Sequence, residues 1–145
     1  MIALLQRVSR ASVSVDNEII GEINKGLLVL LAVEPEDTKE NVQRLAQKVA
    51  KYRIFEDDNG KMNLNVGQAN GDILVVSQFT LAADTQKGLR PSFTSAASPQ
   101  MADEYYQYFC QCLRELGFKV PTGQFGADMQ VALINDGPVT IHLQG

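Results

Sequence analysis

The sequence predicts a mixed α+β fold, with mostly antiparallel or mixed sheets curled toward a barrel and two helices packed outside. Three observations carry this. Seven or eight short runs rich in β-branched residues are divided by turn signals, only two stretches show helical spacing, and most connections are short. At 145 residues the chain is expected to form a single domain, residues 1–145.

Ile2 to Val15 mixes apolar and polar residues, alternating most clearly from Ala11 to Val15, and predicts a strand exposed on one face. Asp16-Asn17-Glu18 turns the chain, Ile19 to Ile23 returns, and Asn24-Lys25-Gly26 turns it again. Leu27 to Val33 has no polar position, which predicts a central strand buried on both faces. Pro35 ends it. Asp37 and Glu40 have capping-box spacing, and Val42, Leu45, Ala46, Val49 and Tyr52 then recur at helical intervals. Such a stripe needs only a sheet to cover.

Ile54-Phe55 and Met62 to Asn65 predict a hairpin around Glu56-Asp57-Asp58-Asn59-Gly60-Lys61. The acidic turn lacks the spaced oxygens and distal glutamate of a calcium loop. Asp72 to Val76 predicts a buried strand that continues as Ser77-Gln78-Phe79-Thr80-Leu81. Alternation would put Ser77, Phe79 and Leu81 on one face and Gln78 and Thr80 on the other. Polar groups ending a core strand need partners, either their own hydroxyl caps or a bound substrate. The long connection from Ala82 to Ala97 holds Lys87 and Arg90, and is either a solvated loop or a functional one. Ser98 and Pro99 open a second helix with Tyr105, Tyr108, Phe109, Cys112 and Leu113 on its apolar stripe, and Gly117 closes it. Phe118 to Val120 is extended. Asp128 to Ile134 and Val139 to Leu143 predict two last strands, interrupted by Asn135-Asp136-Gly137-Pro138. That tetrapeptide reads as a hairpin turn, or as a rigid cis device with no side chain in the way.

Bulk properties exclude several functions. Thirteen basic against 17 acidic residues give a net charge of −4, so the chain does not coat nucleic acid by bulk attraction. Recognition of one small end of a nucleic acid stays open. Cys110 and Cys112 stand two apart on a helix and point away from each other, so no disulfide joins them. With His142 as the single histidine, no metal-ligand spacing exists. Reduced thiols fit a cytoplasmic chain. The first seven residues put their charge after the apolar part, unlike a signal peptide, and the longest apolar run is too short to span a membrane. No nucleophile elbow, Walker loop or zinc pattern is present. A hydrolase built on this sequence would have to rely on oriented backbone N–H groups and a group borrowed from the substrate.

Ser77-Gln78-Phe79-Thr80-Leu81 and Asn135-Asp136-Gly137-Pro138-Val139-Thr140 resemble the two signature motifs of the D-aminoacyl-tRNA deacylase family, in its bacterial form. The opening Met1 to Val8, Tyr52-Arg53-Ile54-Phe55 and Gly60 to Asn65 are also similar, so the resemblance spans the chain. It implies a homodimeric, cofactor-free cytoplasmic enzyme that hydrolyses the ester between a D-amino acid, or mischarged glycine, and the terminal ribose of tRNA. In that resemblance Gly137 and Pro138 reach into the partner's site and reject L-amino acids, and Arg7 holds them. Phe79 and Thr80 amides form an oxyanion hole beside Ser77 and Gln78, with the Thr80 hydroxyl or the tRNA 2′-hydroxyl as competing chemical actors. Met129 and Phe125 line the pocket. The residues alone also admit a non-catalytic module for RNA ends or nucleotides, or a hydrolase of another small ester.

Overall fold

A computed structural model describes residues 1–145. The chain runs β1 (Ile2–Val15), β2 (Glu18–Ile23), β3 (Gly26–Ala32), α1 (Lys39–Lys51), β4 (Phe55–Glu56), β5 (Met62–Leu64), β6 (Asp72–Ser77), a 3₁₀ turn (Phe79–Ala82), α2 (Pro99–Glu115) and β7 (Gln130–Gln144). The mixed fold with two outer helices is as the sequence predicts. β1 is the spine. One of its edges pairs antiparallel with β3 along Ile2–Val8 and with β2 along Ala11–Val15, and its other edge pairs with β7. β6 adds to β3 in parallel. Beyond β6 the sheet continues through residues 119–123, where Val75 N–H donates to Pro121 O at 3.1 Å. The sheet thus curls toward a barrel.

Alternation on β3 explains its all-apolar sequence. Leu27, Val29 and Leu31 face Val42, Leu45 and Val49 of α1 and Tyr106, Phe109 and Leu113 of α2 in one core cluster. Leu28 points the other way and joins Val8, Val13, Leu74 and Val76, with Met129 and Val131 packed alongside. Both faces are covered, so no position can be polar. The first half of β1 is covered likewise. Ile2, Ala3, Leu5 and Val8 are all buried, so the expectation of a strand exposed on one face holds only toward Val15.

Three local expectations are corrected. Helix α1 is capped one residue later than the sequence suggests. Thr38 Oγ1 accepts from Asn41 N–H, and the Asn41 side chain returns the bond to the Thr38 N–H. Asp37 is spent elsewhere: its Oδ1 pairs with the buried Met1 ammonium at 2.6 Å, beside Glu34 Oε1 at 2.8 Å. The β6 strand stops at Ser77, because β3 offers its last pairing there and Gln78 N–H takes the final acceptor, Leu31 O, at 2.8 Å. Residues 78–81 therefore do not alternate between two faces. Finally, Asn135–Pro138 is not a turn between two strands. It is a bulge within the single strand β7, since both sides of it pair with the same partner, β1.

Candidate functional site

Two unusual pieces of main chain stand at the surface. The first lies where β6 ends. Leu81 N–H donates to Gln78 O at 3.2 Å and so makes the first bond of the 3₁₀ turn. The amides before it, of Phe79 and Thr80, have no acceptor inside the turn, and the Gln78 side chain does not cap them. Instead the Gln78 amide donates to Thr80 Oγ1. An amide cannot take a proton, and no imidazole or carboxylate bonds to that hydroxyl. His142 is exposed on β7 opposite Leu4 and belongs to another region.

Ser77, Gln78 and Phe79 border a cavity of about 460 Å³ whose other walls include Phe125, Met129, Val131, Ala97 and Pro99. That size suits a small organic group, and the lining is mostly apolar with few polar atoms. Phe125 reaches it from the loop before β7 and packs against Tyr106, ring centroids 6.1 Å apart. A larger groove of about 720 Å³ lies among Arg10, Glu22, Asp72 and Lys119. It has two cations and two carboxylates and none of the motif residues, so it selects no sign of charge.

The second piece is the β7 bulge. Gln6 pairs with Thr140 and Val8 with Asn135, so Asp136, Gly137, Pro138 and Val139 stand opposite Arg7 alone. The room this creates is filled by the Arg7 guanidinium. Its Nε donates to Asp136 O and its Nη1 to Ile54 O, both at 2.8 Å, and the side chain is buried. On the other flank Asn135 Oδ1 accepts from Val139 N–H at 2.7 Å while its Nδ2 donates to Thr140 Oγ1 at 2.9 Å. The Gly137-Pro138 bond is cis, and both residues are exposed. Gly137 has φ +144, a conformation that L side chains rarely adopt. Pro138 has no N–H to offer the ladder, which fits a bulge.

Cys110 and Cys112 are not candidates for nucleophile. Both are buried in α2, burial pushes the Cys110 thiol up to about 12, and burial raises Cys112 as well. Burial likewise raises the Tyr106 phenol, which donates to Val75 O at 3.2 Å in the core.

Residues 4–144 match the family described as D-Tyr-tRNA(Tyr) deacylase. The chain belongs to this family. It is 66% identical over 143 residues to the D-aminoacyl-tRNA deacylase of Colwellia psychrerythraea, and 63% identical over 144 residues to that of Shewanella frigidimarina, with 99% of each chain covered. Among solved structures it superposes on one titled c-Myc DNA Unwinding Element Binding Protein at a TM-score of 0.94 and 41% identity, covering 100% of this chain and 99% of that one. A probable eukaryotic D-amino acid tRNA deacylase shares the fold at a TM-score of 0.85 and 18% identity, covering 98% and 97%.

Of the candidate site residues singled out in the sequence, Ser77, Gln78, Phe79, Phe125 and Met129 line one cavity, with Thr80 next in the chain. Arg7, Gly137 and Pro138 form a second group. Within one chain the two groups do not meet, for neither Gly137 nor Pro138 borders the cavity. Sequence reasoning gave no role to Asn135, Ile54 O or Phe93. Asn135 and the Ile54 carbonyl brace the bulge, and Phe93 packs on Phe79 with centroids 5.0 Å apart. Asn135 is signalled by its place in the motif and Ile54 by the family-like segment Tyr52-Arg53-Ile54-Phe55, whereas nothing local marks Phe93 as the neighbour of Phe79.

Proposed function

We propose that this protein hydrolyses the ester joining a D-amino acid to the terminal ribose of tRNA, releasing free amino acid and reusable tRNA. One observation carries the reading beyond family membership: the amides of Phe79 and Thr80 have no acceptor inside their own turn, Phe79 borders the cavity, and no protein base bonds to the Thr80 hydroxyl beside it. Water adds to the ester carbonyl, the carbonyl oxygen becomes negative, and the two N–H groups receive it. Preorganised donors of this kind supply roughly 3–4 kcal/mol each at an acyl-transfer transition state. The ribose oxygen leaves with a proton. The neighbouring 2′-hydroxyl of the tRNA is the group placed to help deliver the water, since the protein offers no imidazole there.

Handedness is judged by the second piece of main chain. D and L esters differ only in which way the side chain and the hydrogen point, so an obstacle must stand against the L side chain. Exposed backbone at Gly137-Pro138, clamped by buried Arg7, is such an obstacle. One chain keeps it away from the cavity, so the reading requires a homodimer in which each copy completes the other's site. A filter of this type passes many D-amino acids, and passes glycine, which has nothing to exclude. The reading calls on no cofactor and places the protein in the cytoplasm with its substrate. A net charge of −4 fits a protein that takes in only the single-stranded end of tRNA.

The test offers D-tyrosyl-, L-tyrosyl- and glycyl-tRNA to the purified protein. We expect cleavage of the first and third and survival of the second. Equal cleavage of both tyrosyl esters, or survival of the D ester, overturns the reading.

A further inference from the structure

The segment between the 3₁₀ turn and α2 is a hairpin that the chemistry above leaves unused. Asp84 and Ser92 pair in both directions, with N–H to O distances of 2.8 and 3.1 Å. Gln86 N–H donates to Asp84 Oδ1 at 3.0 Å, and Gly88 takes φ +72 at the tip. The tip carries Lys87, Leu89 and Arg90. All three are exposed, and Leu89 is wholly so. Neither cation is engaged, because the ion pairs of the chain are those of Met1 with Glu34 and Asp37 and of Lys39 with Glu104. Both cations are therefore free to meet an anion.

Both legs of the hairpin end at the cavity. The first leaves from the 3₁₀ turn that holds the Phe79 and Thr80 amides. The second returns through Phe93, whose ring lies on that of Phe79, and then through Ala96 and Ala97, which line the cavity. None of residues 87–90 borders the cavity, so the tip stands outside it rather than within it. A polymer whose last unit sits in the cavity would pass this tip, and a nucleic acid strand presents phosphates along that path.

We infer that the Asp84–Ser92 hairpin is a phosphate clamp for the strand leading into the cavity, through Lys87 and Arg90, and that Phe93 couples it to Phe79. The inference deepens the tRNA reading and rests on it for the identity of the strand. Phosphate contacts position a nucleic acid without reading its sequence, which suits a protein that must accept many tRNAs. Through the Phe93 ring the clamp also bears on Phe79, whose amide the ester meets.

The test is the affinity of the full-length protein for uncharged tRNA, measured against salt, for wild type and the Lys87→Ala/Arg90→Ala variant. Losing two phosphate contacts should lower the log–log salt slope by about 1.5 to 2 and weaken binding about tenfold or more at low salt. Affinity and slope that do not change overturn the clamp, whether or not the protein proves to be a deacylase. In turnover, the variant should show a raised KM for D-tyrosyl-tRNA and unchanged hydrolysis of D-tyrosyl-adenosine, which has no strand to clamp. Equal losses on both esters would place the cations in the reacting site and overturn the inference. Phe93→Ala should lower kcat on D-tyrosyl-tRNA while leaving its affinity for uncharged tRNA as in wild type; an unchanged kcat removes the coupling. Leu89→Ser keeps both cations, so tRNA affinity should stay as in wild type; a loss as large as that of the double variant would put the contact on the apolar tip and overturn the clamp.

Discussion

The two exposed pieces of main chain are built in opposite ways. The Gly137-Pro138 bulge is supported from beneath by a buried guanidinium and from the side by Asn135, so each flank is hydrogen-bonded to a side chain. The Phe79–Ala82 turn has no such support, and its first amides are left open. An element that must reject a shape gains from stiffness. An element that must receive a charge gains from unpaired donors. On the proposed reading, exposed backbone suits one task or the other according to which of its own polar groups are already satisfied.

The largest effect expected is at the braced piece. Arg7→Ala leaves Asp136 O and Ile54 O without their donor. Two hydrogen bonds to a charged group at about 1.5 kcal/mol each or more predict a loss near 3 kcal/mol. At roughly 2–4 °C per kcal/mol for a chain of this size, the melting temperature should fall by about 10 °C. Thermal unfolding checks it, and L-tyrosyl-tRNA should be spared less strictly by whatever remains folded. A variant as stable as wild type would mean that the bulge keeps its own shape. Next comes Gly137→Ala. A Cβ there would lie 2.7 Å from Val139 Cγ2 and 3.1 Å from Arg7 Nη2, on a backbone at φ +144. We expect a cost of about 1–3 kcal/mol, read by urea unfolding, with the ratio of D to L cleavage reduced.

How much of this was legible in the sequence follows from what is local. The apolar run of β3, the Ser98-Pro99 start of α2 and the hairpin around Asn59-Gly60 depend on neighbours in the chain, and they stand as the sequence predicts. The cap of α1 was misplaced because Asp37 is drawn 36 residues away to the Met1 ammonium. The strand reading of Gln78 to Leu81 failed because the end of β3, not the sequence of β6, decides where pairing stops. The reading of Asn135–Pro138 as a turn failed for a similar reason: β1 pairs on both sides of it. Arg7 and Asp136 lie 129 positions apart, so no period or spacing could join them, and only family resemblance did.

The smallest effect is expected at the open piece, and it separates two chemistries. Thr80→Val removes the hydroxyl and keeps the amide. Thr80 is exposed, so stability should move by no more than about 0.5 kcal/mol. If backbone N–H groups do the work, D-tyrosyl-tRNA turnover should fall by less than about tenfold, equivalent to about 1.4 kcal/mol. Some loss is expected, because Gln78 would lose the acceptor that now holds its amide. A covalent nucleophile removed from a hydrolase instead costs about 10⁴-fold or more. Single-turnover cleavage at saturating enzyme distinguishes the two, since it reads the chemical step without product release. A loss of the larger size would require a base for Thr80, and that base would have to come from the substrate or from another copy of the chain. The open turn would then be a nucleophile's seat rather than an oxyanion's, and its contrast with the braced bulge would have a different meaning.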